Sequence, residues 1–373
     1  MRTLRPCAPQ LSIQLKRRAW LFSVMIHLGL KWVIREFCAL LGASVLFVVP
    51  ITALSAEVGR SINLAYTAPS PGAYTGYWVA LEKKFFEKYG LVPGKVVYIS
   101  GATVAMASLL SGEIDVVLLQ AAAPMNVRAQ GGDATIFGAT TNILPYYIFL
   151  RKGLQSVKEM EGKRAAVSRM GAGSHAGLVA FFRQYGVDPE KVTFVAAGDL
   201  ASRVGSFLTG SVDLIGLSPP YQLPLLDQGY RVYKNLLDER VPWAQVIIAA
   251  RRSWLDNNQD LARAFLSAIA EGGYYGPSHK DEAARIWKKY VPSSDPRAVE
   301  ESWIYFRKAF VPNLRPDVAG IRNVRDFSAT PGNTKIAAIA PEDYVHWRAL
   351  DDLERAKFFA KLASRYGVTL PVQ

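Results

Sequence analysis

The chain has 373 residues, half of them hydrophobic, with a formal net charge of +13 and two cysteines. That length holds two lobes, each with its own core. The positive charge is not a nucleic-acid signal, because acids are interspersed with the bases and no basic block carries interleaved aromatics.

The N-terminal stretch is basic, with Lys16, Arg17 and Arg18, and residues 1–56 hold seven Lys or Arg against one acid. Residues 38–51 are apolar apart from Ser44, and Ala53-Leu-Ser-Ala56 follows. A basic region, an apolar core and a small-residue site form the pattern of a secretory signal. Cleavage near Ala56 and export to the periplasm are expected. The apolar run is shorter than the ~20 residues that span a bilayer, which favours cleavage over a retained anchor. Met25 is an alternative start. Cys7 and Cys38 both fall in this leader. The exported part therefore has no disulfide, no thiolate nucleophile and no cysteine metal site.

Residues 61–67 read as the first strand, and 68–74 as a turn, with two Pro and one Gly. Residues 78–89 have helical spacing through Trp78, Leu81, Phe85 and Phe86 and stop at Gly90. A strand at 95–99 follows, then a helix with Val104, Leu109 and Leu110 on its buried face. Residues 114–119 are a continuous apolar run, which suits a strand covered on both faces. A helix at 125–130 and a strand at 135–140 come next. The aromatic stretch 144–151 reads as a crossing into a second lobe. A short helix at 154–160, a strand at 164–167, a helix ending at Tyr185 and a strand at 192–196 are expected there. Residues 230–236 return toward the first lobe, and 245–250 form a strand. Beyond Asn258 no strand is expected. Helices are predicted at 261–272, 281–291, 296–310 and, for the most part, 341–366, while 313–340 carry no readable element. The tail is expected to pack on the lobes and hold them together.

One stretch occurs twice. Residues 99–119 match residues 197–217, with Ser111-Gly112 on Thr209-Gly210 and Asp115 on Asp213. Upstream, Phe85-Phe86-x-x-Tyr89-Gly90 matches Phe181-Phe182-x-x-Tyr185-Gly186. Each copy is a strand–helix–strand unit, right-handed by rule. Two separated copies indicate two α/β lobes. The repeated Asp115 and Asp213 read as structural rather than catalytic.

Open α/β sheets bind ligands at the carboxyl ends of their strands, where helix N-termini point free N–H groups into a crevice. Position therefore nominates Ser70 and Tyr74; Gly101, Ala102 and Thr103; Gln120 and Ala121; Thr141 and Asn142; Gly171, Gly173, Ser174 and His175; Asp199; and Ser218 and Tyr221. The loop 168–175 is the sharpest of these. Gly171 and Gly173 let backbone approach an anion, and Ser174 can cap or donate. A tight strand-to-helix turn is the alternative. Arg169 either adds charge or faces solvent. His175 is a candidate donor to ligand and not a metal ligand. Trp78 reads as core, whereas Tyr74 and Tyr221 read as more exposed. No nucleophile–base set, carboxylate pair, nucleotide loop or metal cluster is visible, so no enzyme activity and no cofactor are expected.

The chain resembles the solute-binding components of ABC importers in the nitrate, sulfonate and taurine group, which includes pyrimidine-precursor binders. The resemblance rests on Tyr66-Thr-Ala-Pro-Ser, Phe85-Phe-Glu-Lys-Tyr-Gly-Leu, Leu110-Ser-Gly-Glu-Ile-Asp-Val, residues 147–153, Glu161-Gly-Lys-Arg-Ala-Ala-Val-Ser-Arg-Met-Gly and Leu217-Ser-Pro-Pro-Tyr. It covers about residues 60–310. It implies an α/β, type II periplasmic-binding-protein fold, with two doubly wound lobes, a ligand cleft and a helical C-terminal tail. The division implied is a leader at 1–56, the first lobe at 57–145 and 236–310, the second at 146–235, and the tail at 311–373. The loop after β-strand one, the helix starts at Gly101 and at Gly173-Ser174, and the segment after Leu119 would line the cleft. Here that segment reads Gln120-Ala-Ala-Ala-Pro instead of a Gly-rich form, which alters ligand size. No acid suited to a taurine-like amine is apparent. One relative of the group is a desulfinase with a cysteine nucleophile, a chemistry this exported chain lacks. The partners implied are a small anionic solute and a membrane permease, with no nucleic acid and a monomeric state. Two other readings stay open: an enzyme on the same fold acting on a pyrimidine or related metabolite, and a ligand-sensing domain without a permease.

Overall fold

The computed structural model describes residues 59–369, apart from 292 and 294. The leader, its cleavage site and both cysteines lie outside the described residues. The first sheet contains β1 (Arg60–Tyr66), β2 (Leu91–Tyr98), β3 (Val116–Leu119) and β4 (Thr135–Ile143). The second contains β5 (Tyr147–Leu150), β6 (Arg164–Val167), β7 (Thr193–Ala196), β8 (Leu214–Leu217) and β9 (Lys234–Asn235). The chain then returns, and β10 (Pro242–Ala250) joins the first sheet. The strand orders are β2-β1-β3-β10-β4 and β7-β6-β8-β5-β9. β1 runs parallel to β2 and β3, and β6 runs parallel to β7 and β8. An antiparallel strand is added to each set, β10 beside β3 and β5 beside β8. The two copies of the repeat are thus the same three-stranded unit, extended in the same way. This is the type II periplasmic-binding-protein arrangement.

β3 and β8 are buried at every position, which explains their unbroken apolar sequences. The helices of eight residues or more are α1 (Pro71–Glu82), α2 (Ala102–Leu110), α3 (Ala122–Ala129), α4 (Gly173–Gln184), α5 (Leu200–Leu208) and α6 (Gln259–Ser278). They continue with α7 (Lys280–Tyr290), α8 (Arg297–Ala309), α9 (Val318–Ser328), α10 (Arg348–Arg355) and α11 (Phe358–Tyr366).

The repeated aspartates do the same work twice. Asp115 Oδ2 accepts from the Asn63 amide in β1 at 2.9 Å, and Asp213 Oδ2 accepts from the Arg164 amide in β6 at 3.0 Å. Each carboxylate lies 3.5 Å from an arginine just past the added antiparallel strand, Arg251 after β10 and Arg151 after β5. Arg251 donates onward to the carbonyls of Leu109 and Ile114. Arg151 donates to those of Phe207 and Val212 at 2.6 and 2.8 Å. The arginine therefore satisfies the open carbonyl end of α2 or α5 and ties it to two strands. Gly112 and Gly210 complete each helix end with φ of +83° and +87°, a conformation that favours glycine.

Several expectations need correction. The turn at 68–74 ends at Ser70, because Pro71 opens α1 as its first residue. Tyr74 is consequently helical and buried, not exposed. In α2 only Leu109 of the three expected residues is buried; Val104 and Leu110 are exposed. Steps of five and six residues cannot share a helix face, and the buried set is Ala105, Met106 and Leu109. The expected helix at 154–160 is one 3₁₀ turn, Val157–Met160, fixed by a capping box between Ser156 and Glu159. β4 runs on to Ile143, so Thr141 and Asn142 lie on a strand and not in a loop. Within 230–236 the chain adds β9 to the second sheet before turning back. The unreadable stretch contains α9, capped by Asp317, which accepts from the Ala319 and Gly320 amides. The helix expected at 341–366 breaks at Lys357, whose φ is +54°.

The return segment and tail touch both lobes. α9 packs on β10 and on α4. α8 packs on α1, and Arg297 at its start grips Asp227 of the second lobe through two bonds of 2.7 and 2.9 Å. α11 is anchored by a buried carboxylate: Glu271 of α6 accepts from Lys88, Tyr89, Arg365 and Tyr366 at 2.5 to 3.1 Å.

Replacing either repeat aspartate tests the staple. Asp115→Ala or Asp213→Ala is expected to cost roughly 1.5–3 kcal/mol, the range for a hydrogen-bonded charge. Urea unfolding measures this, and a loss below about 0.5 kcal/mol for both variants refutes the role.

Candidate ligand-binding cleft

The carboxyl ends of the two sheets face each other, and their loops meet. Tyr221 of the second lobe donates to the Pro69 carbonyl of the first at 3.2 Å. Gln120, just past β3, accepts through Oε1 from the Gly173 amide at the start of α4, at 3.0 Å. Ala121 donates to the Ala244 carbonyl at 3.3 Å, which fixes this segment against β10.

Asn142 Oδ1, both amide atoms of Gln222 and Gln245 Oε1 are buried with no hydrogen-bond partner among the described residues, and Ser70 Oγ and Thr141 Oγ1 have only the Tyr305 phenol beside them. The Tyr305 phenol of α8 lies beside the Ser70 and Thr141 hydroxyls and near that of Tyr146. Tyr146 sits at the crossing between lobes, where its hydroxyl accepts from Gln245 Nε2 at 3.4 Å. Burial pushes both phenols above their ordinary value, so they stay protonated donors.

Arg203 of α5 lies near enough to Tyr146 to act on it electrostatically. It is only 6% exposed. Its Nη1 donates to the Gly216 carbonyl at 3.1 Å and its Nε to the Asp199 carbonyl at 3.4 Å. Among the described residues no carboxylate lies within ion-pair distance of it. Burial lowers its pKa, while Tyr146 and Asp199 oppose the shift. A guanidinium keeps its charge in such a place. An unpaired buried cation is costly unless an anion joins it.

The nominated residues divide by place. Ser70, Thr141, Asn142, Ser174 and Ser218 are buried. Asn142 also holds the tail, donating to the Arg315 carbonyl at 2.8 Å. Tyr74 turns into the first lobe, its hydroxyl 3.4 Å from the Leu118 carbonyl. Ser174 Oγ accepts from the Ser168 amide at 2.8 Å and pairs with Ser168 Oγ, so it shapes its own loop. Gly101, Ala102 and Thr103 stand at the rim, with Arg169 across from them, 3.8 Å from where a Gly101 Cβ would sit. Asp199 is exposed and caps α5, accepting from the Ser202 amide at 2.7 Å; that bond lowers its pKa. His175 Nδ1 accepts from the Gly171 amide at 3.1 Å, and its ring lies between Phe194 and Phe327 of α9.

Residues 72–283 match the family described as "NMT1/THI5 like". The chain belongs to this family. No curated protein matches the chain. Among solved structures, a Bordetella bronchiseptica RB50 protein is similar at TM-score 0.66 and 17% identity, over 84% of this chain and 99% of that one. The periplasmic aliphatic sulphonate-binding protein SsuA of Escherichia coli is similar at TM-score 0.60 and 18% identity, over 76% and 99%. The alkanesulfonate-binding SsuA of Xanthomonas axonopodis pv. citri, bound to MOPS, is similar at 0.62 and 16%, over 77% and 98%.

Sequence reading missed Arg203, Gln222, Gln245 and Tyr305 in this family member. For Arg203 a signal existed. The repeat places it on Ala105, both lying 98 residues apart in the two copies, and Ala105 is fully buried. A charge at a position whose twin is a core alanine marks a buried charge.

His175 gives a pH test. Burial lowers its pKa below the ordinary 6.5. The neutral ring accepts from Gly171, and the protonated ring cannot. The unfolded chain then binds the proton first, so this contribution is intact above 6.5 and lost as pH falls below it. Thermal melts from pH 8 to 5 should show a stability gap between the wild type and His175→Gln that narrows with acid; parallel curves refute the linkage.

Proposed function

We propose that this chain is the extracytoplasmic substrate-binding component of an ABC importer, which captures a small anion between its lobes and presents it to the permease. Arg203 carries the reading. Among the described residues it is a buried guanidinium with no carboxylate within ion-pair distance, close to the Tyr146 phenol. A sulfonate or nitrate supplies what these groups lack, one negative charge with several acceptor oxygens. Among the described residues no buried Asp or Glu side chain stands with these groups to receive a cationic group, Asp199 being exposed and engaged in capping α5, which disfavours a taurine-like zwitterion. The sulfonate-binding relatives support the same ligand class.

Binding needs no bond breaking. An anion held by Arg203 on the second lobe and by Ser70 and Thr141 on the first bridges two bodies that otherwise separate. Its differential contacts shift the population toward the closed state.

Calorimetry with nitrate, alkanesulfonates, taurine and pyrimidines tests this. Arg203→Met is expected to weaken anion binding at least about 100-fold, as for removing one member of a buried charge pair. Its melting temperature should hold or rise, because an uncompensated buried charge has gone. Wild-type affinity in this variant overturns the assignment.

A further inference from the structure

Gln120 stands where the two lobes touch. Its carboxamide oxygen accepts from the first amide of α4, 3.0 Å away. Gly173 permits this approach. A Cβ there would lie 2.3 to 2.4 Å from the carbon, nitrogen and oxygen of the Gln120 amide. The carboxamide therefore lies flat on the helix start, and any larger residue at 173 would push it away. The serine of that first turn is turned back onto Ser168 and offers no replacement acceptor to Gly173.

A single amide N–H has one proton. An oxygen of a bound anion and the Gln120 oxygen cannot both take it at full strength. With Gln120 in place, the anion is left to the groups around Arg203, Tyr146 and Gln245, where Gln245 Oε1 is buried and unpartnered. We propose that Gln120 is the size-determining residue of the cleft: by occupying the α4 amide from the opposite lobe, it limits the ligand to a small mono-anion. This rests on the anion-binding reading above. The repeat sharpens it, since position 120 pairs with Ser218, 98 residues on, whose short side chain reaches across no such gap.

The test uses the protein without its leader and four probes: nitrate, methanesulfonate, butane-1-sulfonate and ethane-1,2-disulfonate. Affinities are measured by calorimetry for wild type, Gln120→Ala and Gln120→Glu. Hydrogen exchange of the Gly173 amide is followed by NMR in each. In wild type that amide should be protected and the small anions preferred. Gln120→Ala should expose the amide and improve the disulfonate relative to nitrate by about tenfold, the scale of one hydrogen bond regained. Gln120→Glu should keep the amide protected and weaken every anion by charge repulsion. Equal changes across all four probes in Gln120→Ala overturn the size role, as does an unprotected Gly173 amide in wild type. If none of the four binds wild type or Gln120→Ala, the anion reading falls and this inference with it. If Arg203→Met abolishes binding while Gln120→Ala leaves selectivity unchanged, only this inference falls.

Discussion

Each lobe hangs on one carboxylate–guanidinium pair at the base of its sheet. Asp115 with Arg251, and Asp213 with Arg151, fix the start of a central strand, the end of a helix and an antiparallel strand to one point. The pairs are partly buried and their remaining donors go to backbone carbonyls, the condition under which a desolvated ion pair is retained without a net penalty. Their consequence is felt at the other end of the strands. Once the base is pinned, the residues leaving β1, β3, β6 and β8 emerge at a fixed height, and those residues are Ser70, Gln120, Ser174 and Ser218. The staple sits far from the cleft, yet it sets the positions from which the cleft is built.

The cleft uses the opposite electrostatic arrangement. At the base every charge has its partner. Between the lobes a guanidinium is buried with no carboxylate within ion-pair distance among the described residues, its bonds going to the Gly216 and Asp199 carbonyls, and several amide and hydroxyl atoms elsewhere in the interior lack partners. Such groups lower folding stability, each by the desolvation of an unmade bond. A protein retains this deficit where something outside the chain makes it good. Tyr146 and Tyr305 hold the deficit in shape. Burial keeps their phenols protonated, so they present donors and no competing negative charge.

The architecture was legible because it obeys periodicity. Apolar runs at 116–119 and 214–217 have no other good reading than strands covered on both faces, and the repeat doubled the evidence. The aspartates were legible as structural through their equivalence. For the candidate cleft the sequence nominates loop and strand-end positions, among them Ser70, Thr141 and the glycines of 168–175. Side chains that reach it from regular elements gave no local sign. Arg203 shares the buried face of α5 with Val204 and Phe207, a placement that only its repeat equivalence with Ala105 signals, and Gln245 lies in a strand of apolar neighbours. Tyr305 comes from α8, far along the chain, and only tertiary packing delivers it beside Ser70. Tyr74 failed for a related reason: the Pro-rich stretch that suggested a turn also supplies the proline that starts a helix.

Closure must then be weighed against what already links the lobes. α9 lies across β10 and α4, with Phe327 against Trp243 and His175. α8 reaches the second lobe through Arg297 on Asp227, and Lys308 pairs with Asp238 in the segment that returns from it. These ion pairs are half exposed, and each is worth about 0–1 kcal/mol. The Gln120 and Tyr221 bonds add about 0.5–1.5 kcal/mol each before the entropy of ordering is subtracted. The sum is of the same order as the ~5.5 kcal/mol that separates a population of 1:99 from one of 99:1. A hinge balanced so closely is responsive. In the proposed mode, one anion that satisfies Arg203 from one side and two hydroxyls from the other tips this balance, because it brings the charge that the buried guanidinium lacks.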